Sequence, residues 1–142
     1  MPRVMTLFAL LFVCLLALGL GFAAYVRLAP SDPARWHVDP LTAPDPASPN
    51  FARVDRVVAL PPAEVAALIA DRARAEGAVV LAQGGTGTTW IARTPIMRYP
   101  DYVSIRLIPE DAGTRIVAFS RSRFGFGDRG VNRARLGRWL PE

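Results

Sequence analysis

Seven arginines, at positions 115, 121, 123, 129, 133, 135 and 138, crowd the last stretch of the chain against only Asp128 and Glu142. A guanidinium offers a planar fork of donors that meets a phosphate or carboxylate two bonds at a time, so several on one segment read as chemistry for an anion. Arg121, Arg123, Arg129, Arg133 and Arg135 are the candidate ligand-binding residues, because the segment leads into an expected helix whose N-terminus adds positive potential. The competing reading is structural: Arg121, Arg123 and Arg133 pair with Asp101, Asp128 or backbone carbonyls and lock the last helix onto a sheet. Strand parity puts Arg121 and Arg123 on the face of Val117 and Phe119, so the core side of that strand turns basic at its end.

Other chemistry has little to work with. His37 is the only histidine and Cys14 the only cysteine, which leaves no His-based metal site, no thiolate cluster and no intramolecular disulfide. Ser120 and Ser122 have no histidine near them in sequence, and no pair of carboxylates stands at a recognisable catalytic spacing. Gln83-Gly84-Gly85-Thr86-Gly87 resembles a phosphate cradle superficially. It lacks the Gly-Lys-Ser/Thr ending, and Trp90-Ile91-Ala92 after it reads as strand where a helix is required. The residues imply no metal and no cofactor.

These side chains sit in a chain of 142 residues that is 51% hydrophobic with a net charge of +5. That excludes a disordered polar chain and a large multidomain enzyme. Residues 1–114 carry ten arginines and ten acids, so the whole net charge lies beyond them. The chain has no lysine, and its Ala, Gly, Pro and Arg bias is what a high-GC genome gives through codon usage.

From Val4 to Val26 runs an apolar stretch with only Thr6 as a mild interruption. At 1.5 Å per residue it spans about 34 Å, enough to cross a hydrocarbon core of about 30 Å. The expectation is a transmembrane signal anchor, residues 1–28, in contact with the lipid bilayer through residues 4–26. A cleaved secretory signal, with Gly21-Phe22-Ala23 as a weak site, and a buried soluble helix are the alternatives. Positive charge nearly balances across the stretch, with Arg3 and the amine of Met1 on one side and Arg27 and Arg35 on the other. A very short leading tail favours retention inside, which places the single-pass protein in the cell inner membrane with a periplasmic domain.

Residues 29–50 hold prolines 30, 33, 40, 44, 46 and 49 and read as an extended linker. Trp36 and His37 interrupt it, to lie either at headgroup level or against the domain. Residues 51–142 form the domain. A strand from Arg53 to Leu60 stops at Pro61-Pro62, and a helix follows with Val65, Leu68 and Ile69 as its buried stripe and Gly77 beyond its end. Val79–Ala82 and Thr88–Ala92 suggest a hairpin across the glycine loop. Tyr102–Ile108 alternates, with Val103, Ile105 and Leu107 on one face, and Pro109 to Gly113 turns into a strand over Arg115–Phe124. A last helix runs from about Arg129 to Leu140. The order gives an α+β fold, a small antiparallel β-sheet domain with helices packed on one face, in a helix-grip-like arrangement.

The stretch from Ser120 to Arg135 has more than composition in it. Asp128 is a natural N-cap for the final helix, and Gly125, Gly127 and Gly130 let backbone pass close to its start. At helical spacing Asn132 falls in line with Leu136, Trp139 and Leu140, so it points inward and must tie the loop to the sheet. Ser120-Arg121-Ser122-Arg123-Phe124-Gly125-Phe126-Gly127-Asp128-Arg129-Gly130-Val131-Asn132-Arg133 resembles the signature of the bacterial proteins grouped as domain of unknown function 1499. There a strand ending in Ser-x-Ser-Arg leads through a Gly, Asp, Gly and Asn-Arg pattern into the final helix. The resemblance covers about residues 50–140 and marks Ser122, Gly125, Asp128, Gly130 and Asn132 as structural motif positions. It implies a bacterial, often membrane-anchored domain with no established activity.

The function expected is that of a non-catalytic binding or structural domain at the cell envelope, with an Arg-rich site for an anionic lipid, ligand or envelope protein. The alternative is an envelope enzyme acting on an anionic, phosphorylated or carboxylated, small molecule or lipid. Nucleic acid, suggested by the pI of 10.6 and by Phe124, Phe126 and Trp139 among the arginines, is the weakest partner class, since export removes it.

Overall fold

The computed structural model describes residues 2–142; Met1, whose amine enters the charge count above, lies outside them. The first helix, α1 (Pro2–Leu28), is apolar almost throughout, and its hydrophobic side chains stay exposed along its length until Val26, which is fully buried. By length and composition it is able to cross a membrane.

Its last two turns meet the rest of the chain. Phe22 packs edge-on against Tyr99 and Phe124 at ring-centroid distances of 6.4 and 6.3 Å, and Tyr25 packs against Phe124 at 5.9 Å. Arg27 Nη2 donates to the Ile96 carbonyl at 3.3 Å. A single turn, α2 (Pro33–Trp36), follows, with Asp32 accepting from the Ala34 N–H as its cap.

Five antiparallel strands form one sheet in the order β1-β5-β4-β3-β2. They are β1 (Phe51–Val58), β2 (Val79–Gly84), β3 (Gly87–Arg93), β4 (Pro100–Glu110) and β5 (Gly113–Ser122). Helices α3 (Pro62–Ala75) and α4 (Val131–Trp139) cover one face, so the α+β class and the one-sided helices follow the sequence pattern. The core lies between: Val65, Ile69 and Ala73 of α3 and Leu136 and Trp139 of α4 meet Val58, Trp90, Val103, Ile105, Ile116 and Ala118 of the sheet. Leu68, expected in that stripe, is only partly buried, and Ala73 takes the third position.

Helix α3 stops as its sequence requires. Gly77 adopts φ 75°, its N–H reaches the Arg74 carbonyl and the Ala78 N–H reaches the Ala73 carbonyl, each at 2.9 Å, which satisfies two carbonyls left over at the helix end.

The other face of the sheet is covered too, by residues 29–50. Prolines keep that segment extended, but it is no free spacer. It lies across β3, β4, β5 and β1 as a strap, and of the two places open to Trp36 and His37 the structure takes the one against the domain. Trp36 stacks on Tyr102 with centroids 4.2 Å apart, and the His37 ring bonds Thr89 at 2.8 Å and Thr86 at 3.2 Å.

Candidate functional site

β5 is buried on both faces, and its two parities serve two different structures. Ile116, Ala118 and Ser120 point toward the helices; Val117, Phe119 and Arg121 point toward the strap. Arg121 and Arg123 do share a face with Val117 and Phe119, but that is the strap face and not the helix-packed core. With both faces covered, alternation alone could not say which was which.

On the strap face four arginines hold the proline-rich segment. A chain poor in N–H groups has carbonyls in excess, and guanidinium donors meet them. Arg53 bonds the Pro40 and Ala43 carbonyls and Asp45, at 2.8, 2.6 and 2.6 Å, with its guanidinium 3.7 Å from the Phe119 ring centre. Arg106 pairs with Asp39. Arg121, only 6% exposed, donates to the Trp36 carbonyl at 2.6 Å, and Arg123 donates to the Pro30 carbonyl at 2.9 Å. Burial, and then the nearby charge of Arg53, pull the Arg121 guanidinium down to about 10, still fully charged at neutral pH. Both of these arginines thus meet backbone carbonyls, as the structural reading held. What they lock is the strap, and not the last helix.

On the helix face lies a closed polar cluster built from the C-terminal motif. Asn132 is fully buried. Its Oδ1 accepts from Ser120 and, at 3.1 Å, from Arg135; its Nδ2 faces the Asn50 carbonyl, Ser122 Oγ and Asp128 Oδ2 at 3.0, 2.9 and 2.7 Å. Asn132 therefore ties α4 to β5 and to the residue before β1, in keeping with its place on the helix stripe. Arg135 is 4% exposed and pairs with Asp101 on β4 at 2.8 Å. Burial raises the Asp101 carboxyl above its ordinary range even against the Arg135 charge.

Asp128 accepts the backbone N–H groups of Gly130 at 3.0 Å and Asn132 at 2.9 Å. It caps the helix from two residues before the formal N-cap, Gly130, which takes φ 79°. Burial alone would raise its carboxyl, but the hydrogen bonds from Asn132 and Gly130 outweigh it and hold the group below the usual value. Gly125 and Gly130 are needed for positive φ and not for close packing, since a Cβ at Gly125 would meet nothing nearer than 3.8 Å and nothing crowds Gly130.

The sheet therefore separates the expected anion-site arginines. Arg121 and Arg123 lie under the strap, Arg135 lies under α4, and Arg129 and Arg133 are exposed at the loop and helix start. Arg135 carries a signal that sequence reasoning passed over: it falls on the same helical stripe as Asn132, Leu136 and Trp139 and so had to be buried.

A cavity of about 170 Å³ opens beside the cluster, lined among others by Tyr99, Asp101, Ser122, Phe124, Asp128 and Val131. Its carboxylates are already engaged, Asp101 by Arg135 and Asp128 by the helix start. A second opening of about 370 Å³ lies under α3 at the glycine hairpin. There Gly87 takes φ 111°, where a Cβ would stand 2.1 Å from the Ile105 carbonyl oxygen, so the glycines serve the turn.

Residues 29–142, strap included, match the family described as "Protein of unknown function (DUF1499)". The chain belongs to the DUF1499 family. No curated protein and no solved structure matches it. In this DUF1499 domain Ser120, Ser122 and Asp128 each bond to Asn132, which makes the group a clasp between the last helix and the sheet.

Proposed function

We propose that this chain is a single-pass bacterial inner-membrane protein whose DUF1499 domain acts at the cell envelope as a non-catalytic binding or structural head for an anionic partner. The observation that carries the reading is the junction of α1 with the domain. Phe22 and Tyr25 meet Tyr99 and Phe124 while the side chains before them remain exposed, as a helix surrounded by lipid and clamped only at its emerging end requires. The loop from Arg123 to Gly130, within the arginine-rich C-terminal segment, meets that end through Phe124. Arg129 and Arg133 lie exposed there, whereas Asp128 is turned inward to the helix start.

Non-catalysis is favoured by how the polar groups are spent: Ser122, Asp101, Asp128 and Asn132 each serve the clasp. Topology tests the reading. A C-terminal fusion to alkaline phosphatase should be active and the matching green fluorescent protein fusion dark. The reverse pattern would put the domain in the cytoplasm and end the periplasmic assignment.

A further inference from the structure

We propose that the β3–β4 loop and the loop from Arg123 to Gly130 form a membrane-seating surface, in which Ile96 and Phe126 enter the acyl boundary and Arg98 and Arg129 bind the phosphates of anionic glycerophospholipids. The inference rests on α1 spanning a bilayer, as proposed above, and adds a second, separate contact with that bilayer.

Depth is the first argument. Phe22, where Tyr99 and Phe124 touch α1, precedes Leu28 by six residues, or about 9 Å of helix. The two loops thus descend beside the last turns of α1, down to residues that belong to the apolar span. Any bilayer that holds Val4 to Val26 brings these loops to its headgroup layer.

Exposure is the second. Ile96 is 84% and Phe126 76% exposed, and they project from these two loops. Large apolar side chains at loop tips beside a membrane helix match the 5 to 10 Å burial typical of interfacial segments. The tyrosines nearby, Tyr25 and Tyr99, are the residue type enriched at that level.

Backbone conformation is the third and independent observation. Among the described residues only two other than glycine have positive φ, Arg98 at 60° and Arg129 at 51°, and each sits on one of these loops. That conformation is uncommon for a residue with a Cβ and occurs in tight turns and at functional sites, and here it falls on both loops. The β3–β4 loop is closed by Thr94 N–H to the Tyr99 carbonyl, Arg98 N–H to the Thr94 carbonyl and Tyr99 N–H to Thr94 Oγ1, and Arg93 holds the Arg98 carbonyl.

Charge is arranged along the sheet to suit. The acids Glu110 and Asp111 stand at the opposite end of β4, an 11-residue strand, roughly 33 Å away. Of the acids at the loop end, Asp101 and Asp128 are consumed by Arg135 and the α4 start, and Asp32, exposed, caps α2.

The test uses the full chain in lipid nanodiscs on a Cys14→Ser background, with an environment-sensitive fluorophore on Ile96→Cys, Phe126→Cys or, as control, Asp111→Cys. In discs containing phosphatidylglycerol, labels at 96 and 126 should shift to the blue and be quenched by shallow spin-labelled lipid, while the label at 111 does neither. Replacing Arg98 and Arg129 by glutamine should weaken loop insertion in anionic discs about fivefold per arginine, the factor expected for each basic residue near an anionic surface, and leave zwitterionic discs unaffected. Retention of the chain in the disc with labels at 96 and 126 as solvent-exposed as at 111 overturns the seating surface alone. Insertion that ignores lipid charge overturns the role of the arginines. Failure of the chain to stay with the disc overturns the anchor, and the surface with it.

Discussion

Asn132→Ala should destabilise the domain measurably, and its cost can be worked from the bonds it removes. The amide serves Ser120, Ser122, Arg135, Asp128 and the Asn50 carbonyl. Not all are stranded by its loss: Asp128 and Ser122 are partly exposed and can turn to water, and Arg135 and Ser120 already approach each other at 3.4 Å. The Asn50 carbonyl keeps the Ser122 backbone N–H at 3.0 Å, so one donor of the Ser120–Arg135 pair is what remains buried without a partner. At about 1 to 3 kcal/mol for that one orphan, the change costs about 2 kcal/mol. For a domain of this size, stable by roughly 5 to 15 kcal/mol, that lowers the melting temperature by roughly 8 to 16 °C. The assay is thermal unfolding of the full chain in detergent, followed by near-ultraviolet circular dichroism of the Trp90–Trp139 pair, whose rings stand edge to face at 6.3 Å. Arg133→Ala, one residue along and exposed, is the control and should melt close to the parent. If Asn132→Ala melts within about 4 °C of the parent, a shift worth less than about 1 kcal/mol, the clasp does not hold α4 to the sheet.

The buried pair should behave asymmetrically. Arg135→Met strands Asp101 and costs about 3 to 5 kcal/mol, whereas Arg135→Met combined with Asp101→Leu should recover much of it in urea unfolding. Because burial raises the Asp101 carboxyl and Arg135 opposes that rise, Arg135→Met should also grow less stable as pH climbs above the ordinary 3.8, since the folded state then holds a proton that the unfolded state has released. Asp128 has the opposite sign: its folded-state value is depressed, so its contribution is complete above the ordinary 3.8 and is lost as pH falls through the lower folded value. Melting curves between pH 2 and 6 should therefore show a steeper acid loss for the parent than for Asp128→Asn. Gly87→Ala should lower the unfolding free energy measured in urea by more than about 1 kcal/mol through its collision with Ile105, while Gly84→Ala, whose Cβ would find only the His37 ring at 3.8 Å, stays near the parent.

Much of the architecture was legible because local pattern and global fold agree in it. Alternation at Val103, Ile105 and Leu107 marked the helix-packed face of β4, and Pro62 and Gly77 bracket α3 as the capping rules require. The inward turn of Asn132 could be read because helical spacing specifies a face. What could not be read depended on tertiary register. Six prolines say that a segment is extended but not where it lies, so the strap and its stack of Trp36 on Tyr102 had no sequence signal beyond an aromatic in an odd place. Arginine density suggested convergence, but residues two apart on a strand and residues on the following helix end up on opposite sides of the sheet. The partner of Arg135 sits 34 positions earlier on β4, and only the pairing of Asp101 with Ser122 across β4 and β5 brings it there.

The account stands on α1 remaining in place as a lipid-embedded anchor. Alkaline washing of membranes from cells expressing the full chain, followed by intact-mass measurement, tests this most directly. The prediction is a protein that stays in the pellet with residues 4–26 present. A washed-off protein, or one whose mass shows cleavage after Ala23, would contradict it.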